Sequence, residues 1–285
     1  MKIGVVGLGL IGGSLARQIM RNTSHTVLAY DISDEVLKKG ALLNAYHDLL
    51  DLDAPTIDVD ILIIATNPRA TLKILDNVVP RLKSGAIVVD SAGIKKEIVK
   101  KMQALKAVRE DVFFVGGHPM AGREFSGVSH STATLFERAY IILTPVDIDD
   151  VPALERIKEF FEEVKCEGIT ISSYEKHDKI IAYTSQLAHV VSSSYIKNPL
   201  SAEHVGYSAG SFRDLTRVAK LNAPMWTELF LGNKEYLLQA IEDVEKRIAE
   251  YKEAIINEDE QKLMELLQDG TEKKEVADKK AREKR

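Results

Sequence analysis

The stretch Lys2-Ile3-Gly4-Val5-Val6-Gly7-Leu8-Gly9-Leu10-Ile11-Gly12 joins a short apolar strand to a glycine-rich turn that opens a helix. Gly7 permits the tight turn, Gly9 lets the backbone approach a pyrophosphate, and Gly12 allows close packing of helix on strand. The helix N-terminus then offers free N–H groups and the positive end of a dipole to phosphates. This order of features is typical of the first βαβ unit of a dinucleotide-binding domain.

An acidic residue ends the second predicted strand. Asp31 lies nineteen residues after Gly12, where a carboxylate would bond a ribose 2′-hydroxyl. A site for NADP would more often carry a basic residue nearby, but Ile32 and Ser33 follow. We therefore predict NAD as the cofactor; the alternative is a glycine turn that binds no ligand. The predicted cofactor contacts are Gly7, Gly9, Leu10, Ile11, Gly12, Asp31 and Thr66.

The first 172 residues alternate short apolar runs with amphipathic segments. Because the runs are continuously apolar, each predicts a strand buried on both faces, as in a parallel sheet covered by helices. The predicted strands are Lys2–Val6, Thr26–Tyr30, Asp60–Ala65, Ala86–Asp90, Val112–Val115, Tyr140–Thr144 and Gly168–Ile171. The predicted helices between them are Gly12–Arg21, Asp34–Lys39, Pro68–Leu82, Lys95–Ala107 and Pro152–Val164. This pattern predicts a doubly wound Rossmann-type α/β domain over residues 1–172.

Residues 173–285 carry helical patterns only. Helices are predicted over Tyr174–Ile196 and Ser211–Lys220, and a long helix with Asn222 as its cap. An apolar seam along that helix could pack within the subunit or against a second one; its residues are Leu237, Ile241, Val244, Ile248, Tyr251 and Ile255. The charged tail from Thr271 to Arg285 predicts a frayed or disordered end.

Composition limits the function classes. A chain of 285 residues suits two domains, and a net charge of −5 argues against a nucleic-acid partner. An anionic ligand would therefore need locally clustered Arg and Lys. The single cysteine, Cys166, excludes an internal disulfide and fits a reducing cytoplasm. No apolar run reaches the roughly 18–20 residues that cross a bilayer, so no membrane partner is predicted, and no metal site is predicted either.

A glycine-flanked histidine follows the fifth predicted strand, in the segment Gly116-Gly117-His118-Pro119-Met120-Ala121-Gly122. Ligands in doubly wound folds lie beyond the carboxyl ends of strands. A histidine beside a nicotinamide can accept a hydroxyl proton while a hydride leaves the same carbon. The alternative is a histidine that only bonds a loop carbonyl.

Two polar sets follow in the helical half. Ser185 and His189 are four residues apart on one helix, which is typical either of a satisfied core contact or of a site. Arg213 and Arg217 are also four apart and could direct two guanidinium groups at one carboxylate. The alternative is a solvated face on which Asp214 neutralises its neighbours.

Taken in order, these motifs resemble the prephenate/arogenate dehydrogenase family from Met1 to about Ile256. One motif is the Gly-Gly-His-Pro-Met-Ala-Gly-Arg-Glu segment, which ends at Glu124, and its His-Pro-Met-Ala-Gly part is the most specific piece. Ser-x-Leu-x-His, Phe-Arg-Asp-x-Thr-Arg and Met225-Trp226 follow it. The resemblance implies a Rossmann domain, then a helical dimerisation domain that makes a homodimer. The implied reaction is the NAD-dependent oxidative decarboxylation of prephenate to 4-hydroxyphenylpyruvate in tyrosine biosynthesis, or of arogenate to tyrosine.

The resemblance also implies residue roles. His118 would bond the ring hydroxyl of a dicarboxylate substrate, Arg217 would bind a carboxylate, and His189 would line the same pocket. Glu124 would lie at the pocket entrance, Trp226 beside the pocket, and Arg213 and Asp214 next to the arginine site. The family commonly has a serine where this chain has Gly93, and Ser91, two residues earlier, is the candidate substitute.

Two other function classes stay open at this point. One is a different two-domain Rossmann dehydrogenase, acting on a β-hydroxy acid or an acyl thioester; such enzymes usually use a catalytic lysine or a His–Glu pair. The other is a non-catalytic NAD-responsive binding protein that assembles through its C-terminal helices. That protein would bind NAD and produce no NADH from a cyclohexadienyl substrate.

Overall fold

The strands assemble into one sheet. The structure is a computed structural model that describes residues 1–123 and 125–283. In that part of the chain the strands are β1 (Lys2–Val6), β2 (Thr26–Tyr30), β3 (Asp48–Leu49), β4 (Ile61–Ile64), β5 (Ile87–Asp90), β6 (Phe113–Pro119), β7 (Tyr140–Pro145) and β8 (Gly168–Ile171). All seven predicted strands are present, and the two-residue β3 is additional.

The sheet order is β3-β2-β1-β4-β5-β6-β7-β8. Neighbouring strands from β3 to β6 are parallel, whereas β7 pairs with β6 in the antiparallel sense and β8 runs parallel to β7. The strand order changes direction between β1 and β4, and the glycine turn follows β1 at this switch point. Ligands of doubly wound folds bind there.

Helices cover both faces of the sheet. The helices of this part are α1 (Leu10–Asn22), α2 (Asp34–Leu42), α3 (Pro68–Val78), α4 (Lys96–Lys106) and α5 (Val151–Glu163). Alternate residues of β4 separate the two cores: Ile61 and Ile63 belong to the core that includes residues of α1 and α5, and Leu62 and Ile64 to the core that includes residues of α3 and α4. Burial on both faces explains why the strands are apolar throughout.

The helical half departs from the prediction in three places, and two of them are breaks in predicted helices. The segment 174–195 is not one regular helix: a π-helical turn (Ala182–Leu187) separates α6 (Tyr174–Ile181) from α7 (Ala188–Tyr195). After α8 (Gly210–Thr216), the predicted long helix is two, α9 (Ala223–Gly232) and α10 (Lys234–Ile256). Asn222 caps α9 as predicted, by accepting from the Met225 N–H. The break falls at Asn233, whose buried amide makes side-chain hydrogen bonds.

The charged tail is helical rather than frayed up to Glu283. Helix α11 (Glu260–Glu283) includes the ion pairs Lys273–Asp269 and Lys274–Asp278, each four residues apart. Such pairs stabilise an exposed helix by a few tenths of a kcal/mol each. The chain divides into two compact units, Met1–Lys234 and a second from Glu235 onward, and the predicted domain boundary after residue 172 stays a prediction. None of the helices over 1–123 and 125–283 is both long and apolar enough to cross a membrane.

Candidate active site

The glycine turn has the geometry that its spacing predicts. Gly7 has φ +91°, which favours glycine, and a Cβ there would lie 2.7 Å from the Ala65 carbonyl oxygen. A Cβ on Gly12 would lie 1.9 Å from the Gly7 carbonyl oxygen, so Gly12 packs against the turn itself as well as against Ala65 of the neighbouring strand end. A Cβ on Gly9 would meet no atom within 4 Å, which leaves space for a ligand.

Asp31 is fixed beside this turn by two backbone donors. Its carboxylate accepts from the Leu8 N–H at 2.8 Å and from the Ser33 N–H at 3.0 Å. Each oxygen of an ionised carboxylate has a second lone pair, so both can still accept from ribose hydroxyls. A doubly charged 2′-phosphate would be repelled at the same place, because like charges repel strongly at close range.

The remaining predicted cofactor contacts surround the turn. Leu10 and Ile11 form the first turn of α1. Its N-cap, Gly9, has no side chain that could cap the helix, and its first turn has no acidic residue. Thr66 follows β4; its hydroxyl lies 2.9 Å from the Thr71 hydroxyl, and its methyl group would lie 2.8 Å from a Cβ on Gly7. The uncapped N–H groups, the open space at Gly9 and the Asp31 carboxylate fit a dinucleotide.

A carboxylate occupies the start of α3, the next helix at this edge of the sheet. The Glu228 side chain, from α9, accepts a hydrogen bond from the Arg69 N–H. Anions are favoured at a helix N-terminus because its N–H groups are unpaired within the helix. This contact joins the second half of the chain to the carboxyl edge of the sheet.

His118 lies within a strand rather than in a loop. The sequence predicted that the strand ends at Val115, but β6 continues to Pro119 because the antiparallel β7 pairs with it, with His118 opposite Ile142. The glycines of this segment permit close approach: a Cβ on Gly117 would lie 2.5 Å from the Asp90 carbonyl oxygen. The backbone of His118, the residue after Gly117, is therefore fixed by strand pairing, and its side chain is half-buried.

A second histidine and an aspartate continue from His118. The His118 Nδ1 lies 2.8 Å from the His177 Nε2, and the His177 Nδ1 lies 2.7 Å from the Asp178 Oδ1. The Asp178 carboxylate also accepts the backbone N–H of Lys95 at 2.8 Å and that of Lys96 at 2.9 Å, at the start of α4. We call His118, His177 and Asp178 the histidine series.

A buried ion pair lies beneath the histidine series. Lys95 and Asp90 are both fully buried and pair with each other. The Asp90 carboxylate also accepts the N–H of Ala92 at 2.9 Å and that of Gly117 at 3.2 Å. Buried charges need such complete pairing, since an unpaired one costs several kcal/mol. The paired Asp90 carboxylate therefore fixes the backbone at Gly117, directly before His118, and at Ala92, after β5.

The environment of His118 favours its neutral form. Burial lowers the pKa of the imidazole well below its ordinary value, and the neighbouring His177 and Lys95 act in the same direction. A histidine that is neutral at neutral pH has a lone pair on one ring nitrogen and can act as a general base. His118 can therefore accept a proton from a hydroxyl group.

Gly93, not Ser91, faces this base. A Cβ on Gly93 would lie 3.8 Å from the His118 Nε2 and 3.5 Å from the Leu229 side chain. The Ser91 hydroxyl instead lies 3.5 Å from the Ile64 carbonyl oxygen, at the end of β4. The structure therefore pairs Ser91 with the neighbouring strand and leaves the position nearest His118 without a side chain.

His189 and Trp226 form a contact pair near Arg217. The two rings have centroids 3.9 Å apart, and the His189 Nδ1 donates to the Val218 carbonyl oxygen at 3.0 Å. Burial lowers the pKa of His189, and the positive Arg217 acts in the same direction. Trp226 and Leu229 are three residues apart on α9, so one helix face carries both the His189 contact and the residue that borders Gly93.

The other predicted substrate contacts differ in accessibility. Arg213 and Asp214 have 80% and 77% of their side chains exposed and lie 3.8 Å apart, which is the solvated arrangement that the sequence left open. Glu124, predicted at the pocket entrance, lies outside the described residues.

Sequence reasoning missed the two buried members of the histidine series, His177 and Asp178. They precede Ser185 and His189 on what was predicted as one amphipathic helix, and an adjacent His–Asp pair within its apolar pattern was the only local signal. The contact of His177 with His118 spans 59 residues, and no pattern along the chain reports it.

Two family models match consecutive parts of the chain. The nucleotide-binding domain of prephenate dehydrogenase matches residues 15–170, and its dimerization domain matches residues 173–269. The chain is 31% identical to the prephenate dehydrogenase of Lactococcus lactis, over 94% of this chain and 75% of that protein.

Solved structures agree with these matches. The prephenate dehydrogenase of Aquifex aeolicus, in complex with hydroxyphenyl propionate and NAD⁺, has a TM-score of 0.85 and 30% identity, and the alignment covers 97% of this chain and 98% of that one. The arogenate dehydrogenase of Synechocystis has a TM-score of 0.79 and 27% identity, with 97% of this chain and 100% of that one covered.

Proposed function

The chain belongs to the prephenate dehydrogenase family, and we propose that it catalyses the NAD-dependent oxidative decarboxylation of prephenate to 4-hydroxyphenylpyruvate. The observation that carries the proposal is His118, a neutral base on a rigid strand at the carboxyl edge of the sheet that also carries the glycine turn. The NAD-dependent alternatives outside the family do not account for the matches over both halves of the chain.

The chemistry follows from what His118 can accept. Bound NAD⁺ would supply the hydride acceptor, held by the glycine turn and Asp31. The His118 Nε2 accepts the proton of the ring hydroxyl as a hydride leaves the carbon that bears this hydroxyl. When carbon dioxide leaves, the electron pair of the broken carbon–carbon bond moves into the ring, which becomes aromatic as a phenolate, and the phenolate oxygen then takes the proton back from His118. Because aromatisation drives the reaction, the protein mainly orients substrate and cofactor.

Arg217 is the proposed carboxylate contact. The positive charge of its guanidinium helps to lower the pKa of His189, which packs on Trp226. Guanidinium groups bind carboxylates in a bidentate fashion. Arg213 and Asp214 are mostly exposed and contribute less, because exposed ion pairs are worth about 0–1 kcal/mol. Prephenate carries two carboxylates, so an acidic chain needs this local positive charge.

Arogenate is the second candidate substrate. The likeness to the Synechocystis arogenate dehydrogenase favours it. Arogenate replaces the keto group by an ammonium, which would need an acidic contact that prephenate does not need. We retain prephenate because the cationic Arg217 beside His189 favours an anion.

We also propose that the protein is a homodimer formed through its C-terminal helices. The match to the family's dimerization domain supports this. Two residues of the predicted seam, Ile248 and Ile255, are 60% and 62% exposed in the single chain, and apolar residues exposed along one seam are typical of a helix that meets a partner. Light scattering coupled to gel filtration should give about twice the chain mass of 31.7 kDa; a monomer at micromolar concentration would contradict the assignment. The cytoplasmic location predicted from the single cysteine stays a prediction.

One assay tests the function directly. Purified protein with NAD⁺ is given prephenate and arogenate in separate reactions, and the absorbance of NADH is followed. We expect turnover with prephenate and a lower kcat/KM with arogenate. A higher kcat/KM with arogenate would reverse the assigned preference, and no turnover with either would overturn the proposed activity.

The Arg217→Gln variant tests the carboxylate contact in the same assay. Loss of one charge-assisted contact of about 1.5–3 kcal/mol should raise KM for prephenate roughly tenfold to 100-fold. Arg21→Gln is the matched control, because Arg21 is an exposed arginine paired with Glu137 at the opposite end of α1. An unchanged KM in Arg217→Gln would remove Arg217 from the substrate site.

A further inference from the structure

The hydrogen bonds of the histidine series determine which ring nitrogen of each histidine carries a hydrogen. Asp178 is 1% exposed and His177 is 2% exposed, so no solvent alternative competes for their hydrogen bonds. The Asp178 carboxylate accepts two backbone N–H groups, those of Lys95 and Lys96. A carboxylate has only acceptor atoms, and both of its oxygens here already accept a backbone N–H. The third contact of that carboxylate, the His177 Nδ1, must therefore carry a hydrogen.

The tautomer of His118 follows from this. A neutral His177 with its hydrogen on Nδ1 has a lone pair on Nε2. That Nε2 lies 2.8 Å from the His118 Nδ1, so the His118 Nδ1 must donate. A neutral His118 with its hydrogen on Nδ1 then has its lone pair on Nε2.

The His118 Nε2 is the nitrogen that a substrate can reach. It is the His118 atom nearest to the position of a Cβ on Gly93, at 3.8 Å. Within residues 1–123 and 125–283, the only hydrogen-bonding contact we find for the His118 ring is the one through Nδ1. With the opposite tautomer, an N–H group would face the substrate hydroxyl and could not take its proton.

We propose that His177 and Asp178 are positioning residues that fix the tautomer of His118, so that Nε2 carries the lone pair that accepts the substrate proton. The catalytic part of this inference rests on the proposed function; the tautomer does not. Neither residue touches substrate in this assignment, because both are buried behind His118. The Asp178 carboxylate also stabilises the positive charge that forms on the imidazole when the proton arrives, as an oriented acid does behind a general base.

The surrounding structure holds the two positioning residues in place. Ser173 caps α6 by accepting from the Lys176 N–H, which fixes the first turn of the helix that carries His177. The Asn233 amide donates to the Asp178 carbonyl oxygen at 2.9 Å and to the Gln186 side chain at 2.8 Å. Such outer contacts orient a catalytic base because they leave its partner no second rotamer.

The direct test is nuclear magnetic resonance on the protein without cofactor or substrate. Histidines are labelled with ¹⁵N, and the His118 signals are identified by their loss in His118→Asn. At a pH near 8, well above the ordinary histidine pKa of about 6.5, we expect the His118 hydrogen on Nδ1 and an unprotonated Nε2. A hydrogen on Nε2 would overturn the proposal, whatever the activity of the enzyme.

Two variants of His177 test the consequence for the reaction. His177→Leu removes the acceptor, and we expect the Nδ1–H form of His118 to be lost and kcat to fall roughly 100-fold, with KM within about threefold. His177→Gln keeps an acceptor oxygen at a similar distance and should recover at least about a tenth of the wild-type kcat. A purely structural role for His177 predicts equal losses in both.

The outcomes separate the two proposals. Wild-type protein without turnover on either substrate would overturn the proposed function and leave the tautomer to the spectrum. Wild-type turnover with His177→Leu within threefold of it would overturn the positioning role. If His177→Leu does not fold, the wild-type spectrum and the His177→Gln variant still decide.

Discussion

The glycine turn and the histidine series lie at the same edge of the sheet, but they are held by different parts of the chain. Backbone atoms hold the turn: the Gly7 N–H donates to the Tyr30 carbonyl oxygen at 2.7 Å, and nothing larger than hydrogen fits on Gly12. Side chains from β6 and α6, with the backbone at the start of α4, hold the histidine series. The turn is therefore sensitive to substitutions that add side-chain volume. The histidine series is sensitive to substitutions that remove or exchange a hydrogen-bond donor or acceptor.

The largest effect is expected at the exposed end of the series. His118→Asn should lower kcat about 10²–10⁴-fold, because an amide cannot accept the proton at neutral pH. KM should change less than about threefold, since Asn retains a hydrogen-bonding group. Steady-state kinetics with NADH detection measures both. A kcat within tenfold of wild type would mean that another group is the base.

The next effect separates fold from binding in the turn. Gly12→Ala should lower the free energy of unfolding by about 1–3 kcal/mol and weaken NAD binding, because a Cβ would collide with the backbone at Gly7. Gly9→Ala is the matched control: a Cβ there meets no atom, so it should weaken NAD binding without changing the unfolding temperature. Calorimetry of both variants tests this. Equal stability of the two variants would contradict the packing argument.

A smaller loss is expected at Asp31. Asp31→Ala removes charge-assisted contacts worth about 1.5–3 kcal/mol and should raise the Kd for NAD roughly tenfold to 100-fold, and the preference for NAD over NADP should fall. Asp34→Ala, in the first turn of α2, removes a nearby carboxylate that does not bond the turn. Fluorescence titration of both cofactors measures the change, and an equal loss in the two variants would exclude a specific role.

The pH profile should show how the series tunes its base. Because the pKa of His118 lies well below its ordinary value, the base form persists as pH falls through about 6.5. Activity should therefore stay near its plateau at pH 6 and decline only at lower pH. The lowered pKa also affects stability. Between that pKa and about 6.5 the unfolded chain binds more protons at this residue than the folded chain does, so the free energy of unfolding rises with pH in that interval. An acid limb of kcat/KM centred at 6.5 would contradict the lowered pKa.

The smallest effect is expected at Ser91. Its hydroxyl contacts the Ile64 carbonyl oxygen and not His118, so Ser91→Ala should change kcat by less than about threefold, as expected for loss of one weak hydrogen bond. Gly93→Ser places a Cβ 3.8 Å from the His118 Nε2 and adds a hydroxyl beside the base, so it should alter kcat more than Ser91→Ala does. A loss of 100-fold in Ser91→Ala would restore the catalytic role predicted from the sequence.

The two regions also differ in how far the sequence predicts them. The turn, Asp31 and strands β1 and β2 follow from residues close together in the chain, because glycine spacing and apolar runs act locally. The bounds of β1, β2 and β8 are as predicted. The two-residue β3 has no periodicity to detect, and β6 is longer than predicted because its antiparallel neighbour, not its own composition, extends it.

The histidine series could be predicted only in part. His118 was a candidate because of its flanking glycines, but its partners are distant in sequence and gave no pattern. The break between α9 and α10 was missed for the same reason: the Asn233 amide bonds Asp178 and Gln186, which are 55 and 47 residues away. The roles of Arg217, His189 and Trp226 stay predictions, although His189 and Trp226 are in contact.

The carboxylate of Glu228 at the start of α3 has a consequence for where an external anion can bind. Four helices, α1 to α4, begin at the carboxyl edge of the sheet, and each would attract negative charge. The protein supplies its own groups at three of them: α2 has the Ser33 cap and an acidic first turn, Glu228 accepts from Arg69 at α3, and Asp178 accepts from Lys95 and Lys96 at α4. In the described chain α1 has neither a side-chain cap nor an acidic first turn. Selectivity for one phosphate position thus arises because the protein's own side chains already occupy the N-termini of the neighbouring helices.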